Sequence, residues 1–318
     1  MRDRILALLK DKEGYISGED LSSSLKISRQ ALWKHIQELK EEGYDIEAVP
    51  HLGYQLSGAP DRLFPSEVSH GLNTKFIGNK IHYFESIDST MNAAAQLGLQ
   101  GAGEGALILA ESQAKGRGRL GRTWFSPKHK GIYFSLILRP KILPSQAPVL
   151  TLLAAVSICE AIKETTGLGP EIKWPNDILL GNKKLGGILT ELSAETDKVN
   201  FVVIGAGLNI NNPKKELISG STSLKEHKKE NINRIQLLQA VLRRIEENYL
   251  IFGKKGSASI IEKWRECSIT LGRRVKVYCQ KEHIEGEAMD IDSDGGLLVR
   301  KDSGLIRKVM SGDVVHCR

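Results

Sequence analysis

Cysteine is scarce in this chain, with four in 318 residues, and no two of them form a CxxC pair. This excludes a disulfide-rich secreted domain and a zinc-ribbon framework, so we expect free thiols at Cys159, Cys267, Cys279 and Cys317. The chain also has no run of 18 apolar residues, and its first residues lack a signal-peptide cleavage pattern. We therefore expect a cytoplasmic protein with no membrane segment.

Acidic residues are absent between Ser112 and Cys159, whereas eight lysines and arginines fall there. Four of the eight surround a glycine-rich run, KGRGRLGRTW, which contains Gly116, Gly118 and Gly121. We expect these glycines to turn through φ > 0 and to let the backbone approach a ligand closely. The three arginines of this run would repel one another without a ligand, which favours an anion-binding loop over a solvated basic hairpin.

The glycine spacing also matches the GxGxxG pattern of dinucleotide-binding loops. In such proteins the loop opens a helix and an acid follows about 20 residues later. Here Pro127 and the strand-like run GIYFSLIL follow, and the next acid is Glu160. A Rossmann site is therefore excluded.

A second cluster lies at EIKWPNDILLGNKKLGGILTE. Pro175 disfavours helix, so KWPND is predicted to be a strand that ends in a turn, and GNKK is predicted to be a hairpin turn. Lys184 then lies at a strand edge next to two glycines, where it could place a charge beside a carboxylate or phosphate. The alternatives are a solvated lysine and an Asn-Asp pair that only bonds the turn backbone.

The run VNFVVIGAGLNIN predicts a buried strand that enters a glycine turn at 205–207 and is followed by Asn209. Simple sheet packing would explain the same pattern. The polar stretch after it, NNPKKELISGSTSL, predicts a mobile loop that would cover a ligand.

Four of these strings, GRGRLGRTWFSP, KWPND, KLGGILTE and IGAGLNIN, resemble the biotin protein ligase family in order and spacing. The resemblance covers residues of about 81–212, and FESIDSTMNAAA is similar to the family's Ser-Thr segment at the start of a helix. It implies a central α/β ligase domain with a mixed sheet of the class II synthetase type.

The resemblance also implies a two-step reaction that uses ATP and Mg²⁺. Biotin and ATP would form biotinyl-5′-AMP, and a lysine of a biotin carboxyl carrier protein would then take the biotin. Two alternatives stay open, a ligand-responsive transcription factor without ligase activity and a lipoate-type ligase.

Site residues follow from the same resemblance. Those implied for biotin are Ser89, Thr90, Gln113, Gly116, Arg117, Arg119, Lys184, Gly187 and Gly207. Those implied for the nucleotide are Arg119, Arg122, Trp124, Asn176 and Asn209. Catalysis would fall to Lys184, Arg119 and Asp177, of which Lys184 would bridge the biotin carboxylate and the α-phosphate. No metal ligand is assigned, and the group that stacks on adenine stays open because residues 208–263 contain no tryptophan.

Residues 1–58 predict a separate domain. Ser17 and Ser28 are predicted to cap two helices, and an apolar stripe follows in the second one before two short strands. This order resembles a winged helix-turn-helix DNA-binding domain. The candidate DNA contacts on the second helix are Arg29, Gln30, Trp33, Lys34 and Gln37. The domain has 8 Lys/Arg against 10 Asp/Glu, so only its second helix offers a local basic face.

The complete chain is predicted to be a multidomain α+β protein with domains at 1–58, 66–268 and 269–318. SGAPDRLFPS is the expected linker, and short strands with glycine turns from about residue 271 predict a C-terminal β-barrel that the resemblance makes SH3-like. The expected partners are operator DNA, a carrier protein and a second copy of the chain. The adenylate would act as corepressor and promote the homodimer.

Overall fold

The computed structural model describes residues 1–279 and 282–316. The chain forms two compact units, Met1–Gly71 and Leu72–Arg318. Each unit has its own buried core.

The first unit is a helix-turn-helix followed by a two-stranded wing, as predicted. Its elements are α1 (Arg2–Lys10), α2 (Gly18–Leu25), α3 (Arg29–Glu41), β1 (Asp45–Val49), β2 (Gly53–Gly58) and α4 (Pro65–Ser69). Ser17 accepts the backbone N–H of Asp20 at 3.0 Å, and Ser28 accepts that of Ala31 at 3.1 Å, so both predicted caps are present. The apolar stripe of α3 is buried, as its period requires.

The predicted linker leads into α4, and both belong to the first unit. Glu67 of α4 is buried, and it accepts hydrogen bonds from Lys10 at 2.6 Å and from the Tyr44 hydroxyl at 2.8 Å. Burial and the bond to Glu67 raise the pKa of Tyr44. Leu63 and Val68 are also buried. The domain boundaries 58, 66 and 268 stay predictions.

The second unit contains a seven-stranded sheet in the order β3-β4-β5-β9-β8-β7-β6. Its strands are β3 (Ile81–Phe84), β4 (Leu107–Ala110), β5 (Gly131–Leu138), β6 (Glu171–Lys173), β7 (Asp177–Leu180), β8 (Lys183–Ala194) and β9 (Val199–Asn209). β3 and β4 are parallel and every other neighbouring pair is antiparallel, so the sheet is mixed, as predicted. Its helices are α5 (Thr90–Leu99), α6 (Ala147–Thr166), α7 (Leu224–Lys228), α8 (Arg234–Lys255) and α9 (Ala258–Cys267).

Among the described residues, one helical segment, Pro144–Thr166, is long and apolar enough to cross a membrane. Of its most apolar window, 72% is buried inside the unit, where α6 packs on α8 and α9. This burial identifies α6 as a core helix.

The predicted glycine turn at 205–207 is wrong, because β9 runs unbroken through it. Glycine is needed here for close approach: a Cβ at Gly205 would overlap the sulfur of Met91, and one at Gly207 would overlap the indole of Trp124. Glycine in a strand marks either a break or a close neighbour, and here the neighbour accounts for it.

The C-terminal part is a five-stranded antiparallel sheet in the order β13-β12-β11-β10-β14, in agreement with the predicted β domain. Its strands are β10 (Arg274–Tyr278), β11 (His283–Ile291), β12 (Leu297–Arg300), β13 (Ile306–Val309) and β14 (Asp313–His316). A buried Trp174 connects it to the larger sheet by donating its indole N–H to the carbonyl of Gly295 at 3.1 Å.

The cysteines in the described residues are free thiols, as predicted, and Cys317 lies outside them. The fold nevertheless brings Cys159 of α6 and Cys267 of α9 into hydrogen-bond contact. This bond raises the pKa of the buried Cys159 thiol, with burial adding to the rise, and lowers that of Cys267.

Candidate active site

A cavity of about 290 Å³ opens at the meeting point of three segments. One is the loop 112–130, called here the glycine loop. The second is the hairpin β7–β8 with the neighbouring β9, and the third is the segment 210–233, called here the second loop. The predicted ligand residues that line the cavity are Thr90, Gln113, Arg117, Arg119, Arg122, Trp124, Asn176, Asp177, Lys184, Gly187, Gly207 and Asn209.

Part of the lining is apolar and comes from Met91, Phe134, Ile188 and Leu189. Beside Met91, Thr90 begins α5 and donates both its backbone N–H and its hydroxyl to Oε1 of Gln113, at 2.9 and 3.1 Å. An apolar surface edged by fixed polar groups suits a small, mostly hydrophobic ligand with a polar head.

Ser89 is the N-cap residue of α5, yet its hydroxyl makes no capping bond. Ser89 is 1% exposed, and its Oγ has no partner among the described residues. Buried hydroxyls are nearly always hydrogen-bonded, so Ser89 is suited to bind a polar group of a ligand.

The backbone of the glycine loop differs from the conformation that its sequence predicts. Of its three glycines only Gly121 has a positive φ, +74°, and Leu120 adopts the left-handed conformation at +56°, so the expected φ > 0 at Gly116 and Gly118 is wrong. Gly116 is required for space, because a Cβ there would overlap the carbonyl oxygen of Trp124. The Trp124 backbone N–H in turn donates to Gly116 O at 2.8 Å.

Each of the three arginines has a partner within the protein, which offsets part of the predicted repulsion, although the charge of Arg122 still lowers the pKa of Arg119. Arg117 donates to Glu191 at 3.1 Å and to Asn92 at 2.9 Å. Arg119 donates to Asn176 Oδ1 at 3.1 Å and to Gly312 O at 3.2 Å.

Arg122 pairs with Asp313 at the start of β14. Asp313 and Gly312 come from the C-terminal sheet, and no local pattern in the sequence could have placed them beside the glycine loop. The side chain of Arg119 is 20% exposed. Burial lowers its pKa, and the carboxylates of Asp313 and Asp177 partly offset that change.

Lys184 lies where its sequence context predicted, on β8 directly after the turn at Gly181 and Asn182. Its Nζ is 2.6 Å from Oδ1 of Asp177 and 5.6 Å from the ring centroid of Trp124. The backbone of Lys184 also pairs with the second loop: its N–H donates to Gly220 O at 3.0 Å. The ammonium is therefore fixed at the wall of the cavity.

Three further predicted groups surround this lysine. Asn176 holds Arg119 and donates its own amide to Ile188 O at 2.8 Å. Asn209 donates to Thr222 O at 3.1 Å and so ties β9 to the second loop. The indole N–H of Trp124 is buried without a partner among the described residues.

Of the predicted ligand residues, Ser89 and Gly116 are not part of the cavity lining but adjoin Thr90 and Trp124.

The described residues contain no group of three or more His, Cys, Asp or Glu that could hold a metal ion. Of the carboxylates that line the cavity, that of Asp177 pairs with Lys184 and that of Asp313 pairs with Arg122.

The candidate DNA-binding residues lie on α3 of the first unit. Arg29, Gln30, Trp33 and Lys34 are exposed, with Trp33 56% exposed, whereas Gln37 is half-buried. Arg29 pairs with Glu19 at 2.7 Å on the open surface, where such pairs are weak. Arg29 can therefore exchange that contact for a phosphate group.

Three family models match the chain: an HTH domain at residues 2–55, the Biotin/lipoate A/B protein ligase family at 83–209, and the Biotin protein ligase C terminal domain at 270–317. The bifunctional ligase/repressor BirA of Bacillus subtilis is 40% identical over 304 residues, which are 94% of this chain and 93% of that protein. The BirA of Escherichia coli is 32% identical over 98% of this chain and 95% of its own length.

Among solved structures, the biotin protein ligase from Aquifex aeolicus in complex with biotin and ATP is 31% identical. It superposes with a TM-score of 0.65 over 76% of this chain and 99% of its own. A helix-turn-helix unit followed by a ligase domain and its C-terminal domain defines a ligase that is also a transcriptional regulator. The chain belongs to the family of bifunctional ligase/repressor BirA proteins.

Proposed function

We propose that this protein joins biotin to a lysine of a biotin carboxyl carrier protein in two steps and represses transcription through its helix-turn-helix. One observation carries the ligase proposal. A single cavity combines an apolar surface with the cationic groups of Arg117, Arg119 and Lys184, and the buried, unpartnered hydroxyl of Ser89 belongs to the residue that precedes Thr90 of its lining. This is the combination that a hydrophobic carboxylic acid and a nucleotide phosphate require.

The apolar part of the cavity suits the fused rings and aliphatic chain of biotin. The polar ureido group would bond to Ser89, Thr90 and Gln113, and the carboxylate would lie near Arg117 and the backbone from Gly116. A Cβ at Gly207 would push Trp124 out of place, whereas one at Gly187 would make only ordinary contacts with Lys184 and Trp124.

In the first step a carboxylate oxygen of biotin attacks the α-phosphorus of ATP, and pyrophosphate leaves. Two anions must approach each other, so fixed cations lower the barrier by positioning and by electrostatic stabilisation. Lys184 lies where it would bridge the carboxylate and the α-phosphate, and Arg119 would hold the phosphate. Asp177 keeps the Lys184 ammonium aimed into the cavity.

In the second step the ε-amine of the carrier lysine attacks the acyl carbon of the adenylate, and AMP leaves. The attacking amine must lose a proton, and Asp177 is the carboxylate nearest to Lys184 that could orient it or accept that proton. Arg122, Trp124, Asn176 and Asn209 are the expected nucleotide contacts. Mg²⁺ would bind together with ATP, as the ion of its triphosphate, and would neutralise the negative charge of that group.

Pyrophosphate release tests the ligase proposal. The protein should release pyrophosphate when it is given ATP and biotin, whereas it should release little pyrophosphate when lipoic acid replaces biotin. Release with lipoic acid but not with biotin would instead identify a lipoate-type ligase. No release with either acid would favour a transcription factor that binds its ligand without ligating it.

The regulatory half of the proposal is that biotinyl-5′-AMP acts as corepressor. Ordering of the glycine loop around the adenylate would complete a self-complementary surface, so that a two-fold dimer presents two helix-turn-helix units to a palindromic operator. The carrier protein would relieve repression by consuming the adenylate. Because the ligase half of the proposal needs ATP and the regulatory half needs chromosomal DNA, we place the protein in the cytoplasm.

A further inference from the structure

Arg234, the first residue of α8, is a fully buried charge outside the cavity. Its Nη1 donates to Oε2 of Glu111 at 2.8 Å and to the carbonyl oxygen of Gly131 at 2.9 Å. Arg234 and Glu111 are both 0% exposed. Glu111 is also the last acid before the acid-free stretch that contains the glycine loop.

Glu111 and Gly131 flank the glycine loop on its two sides. Glu111 directly follows β4, and Gly131 is the first residue of β5. The backbone N–H of His129 also donates to Glu111 O at 3.3 Å. One guanidinium therefore joins the residue that enters the loop to the residue that leaves it.

The base of the second loop meets the same place. The Asn211 backbone N–H donates to Lys130 O at 2.7 Å, next to Gly131. The Asn211 side chain exchanges two hydrogen bonds with the backbone of Ile232, each at 2.9 Å, just before Arg234. The start and end of the second loop are thus tied to each other and to the end of the glycine loop.

The middles of these two loops supply much of the cavity wall. Arg117, Arg119 and Trp124 come from the glycine loop, and residues 216–221 come from the second loop. Arg234 and Glu111 do not line the cavity, so they can act on a ligand only through the loops.

We propose that Arg234, with Glu111, is a positioning residue that sets the base of both loops and so keeps the loop cations aimed at the carboxylate and the phosphate. Stability alone gives little reason for such a pair, because replacing a buried ion pair by apolar side chains of similar size is often neutral or stabilising. Geometry does give a reason, because a displacement of about 1 Å at a site can lower a rate about a hundredfold. The inference rests on the proposed ligase reaction.

The decisive variant is the double replacement Arg234→Met with Glu111→Leu, since it removes both charges of the buried pair together. The matched control is Arg244→Met with Glu164→Leu, an exposed ion pair between the same α8 and α6. For each full-length protein we would measure the thermal unfolding midpoint, kcat and KM for biotin in pyrophosphate release, and the rate at which bound adenylate escapes.

We expect the Arg234 double variant to unfold near the wild-type midpoint, with a raised KM and with adenylate escape faster by about ten- to hundredfold. The control should match the wild type in all four values, and Arg234→Lys should recover part of the adenylate retention because it keeps the charge.

A folded double variant with wild-type KM and escape rate would overturn the inference. If that variant does not fold, Arg234→Lys decides: adenylate escape at the wild-type rate would then count against the inference. A wild-type protein that forms no adenylate would instead overturn the proposed function.

Discussion

Nζ of Lys184 lies 2.6 Å from Oδ1 of Asp177, across the hairpin formed by β7 and β8. The hairpin turn at Gly181 and Asn182 has φ angles of +58° and +60°, which fixes the register between the two strands. The carboxylate thus holds the ammonium at the cavity wall before any ligand arrives. Charge placed in advance lowers a barrier without reorganisation during the reaction.

The first prediction follows from this pair. Lys184→Gln should slow adenylate formation by about a hundredfold, since removal of one stabilising donor at a developing charge costs about that much. The affinity for biotin should change much less, because the lysine acts mainly in the transition state. Rapid-quench kinetics and calorimetry measure the two effects, and Lys183→Gln at the exposed neighbouring position is the control. Losses of affinity and rate in equal proportion would make Lys184 a ground-state contact.

The second prediction concerns Arg119, whose side chain is mostly buried between Asn176 and the C-terminal sheet. Loss of a charged hydrogen bond costs about 1.5–3 kcal/mol, so Arg119→Ala should slow adenylation or speed adenylate escape about ten- to hundredfold. Lys115→Ala, on the same loop but on its exposed surface, should leave both rates unchanged. Unchanged turnover and retention in the Arg119 variant would remove this residue from the site.

The third prediction uses the thiol contact. The hydrogen bond from Cys159 lowers the pKa of Cys267, whereas burial raises the pKa of Cys279. A lowered pKa means that the thiolate, the reactive form, is present at lower pH. Alkylation followed by peptide mass spectrometry should therefore show a lower pH midpoint for Cys267 than for Cys279.

Removal of the donor supplies the control for that experiment. Cys159→Ala should move the midpoint of Cys267 upward and leave that of Cys279 in place. Coincident midpoints for the two thiols in the wild-type protein would contradict the contact.

The fourth prediction concerns DNA. Arg29→Ala with Lys34→Ala removes two cations from the exposed face of α3, so operator binding should be lost while biotin transfer stays intact. Arg4→Ala with Lys12→Ala removes two exposed cations from elsewhere in the same unit and should preserve operator binding. Gel-shift and acceptor-labelling assays measure both activities. Loss of both in the α3 variant, or operator binding that survives, would show that this face is not the DNA contact.

Biotin and ATP together should strengthen operator binding by the wild-type protein, and sedimentation should show dimers under the same conditions. Tighter DNA binding by a protein that stays monomeric would agree with the adenylate as corepressor but would contradict ligand-promoted dimerisation.

Local chemistry explains which features the sequence could predict. The serine caps and the GN turn depend on neighbouring residues, so Ser17, Ser28 and Lys184 lie where the pattern predicted. The partners of the arginines could not be predicted in this way, because Asp313 and Glu191 are distant from them in the chain and no local pattern pairs them. The same holds for the contact of Arg234 with the glycine loop. Gly207 was misinterpreted because glycine signals a turn and a close neighbour equally well.

The most direct test of the ligase account is transfer itself. The full-length protein would be incubated with labelled biotin, ATP and a biotin carboxyl carrier domain, and in parallel with the same domain carrying arginine in place of its acceptor lysine. The account predicts that label survives denaturation on the first domain, is absent from the second, and requires ATP. Label that is absent from both domains, while biotin and ATP still bind the protein, would contradict it.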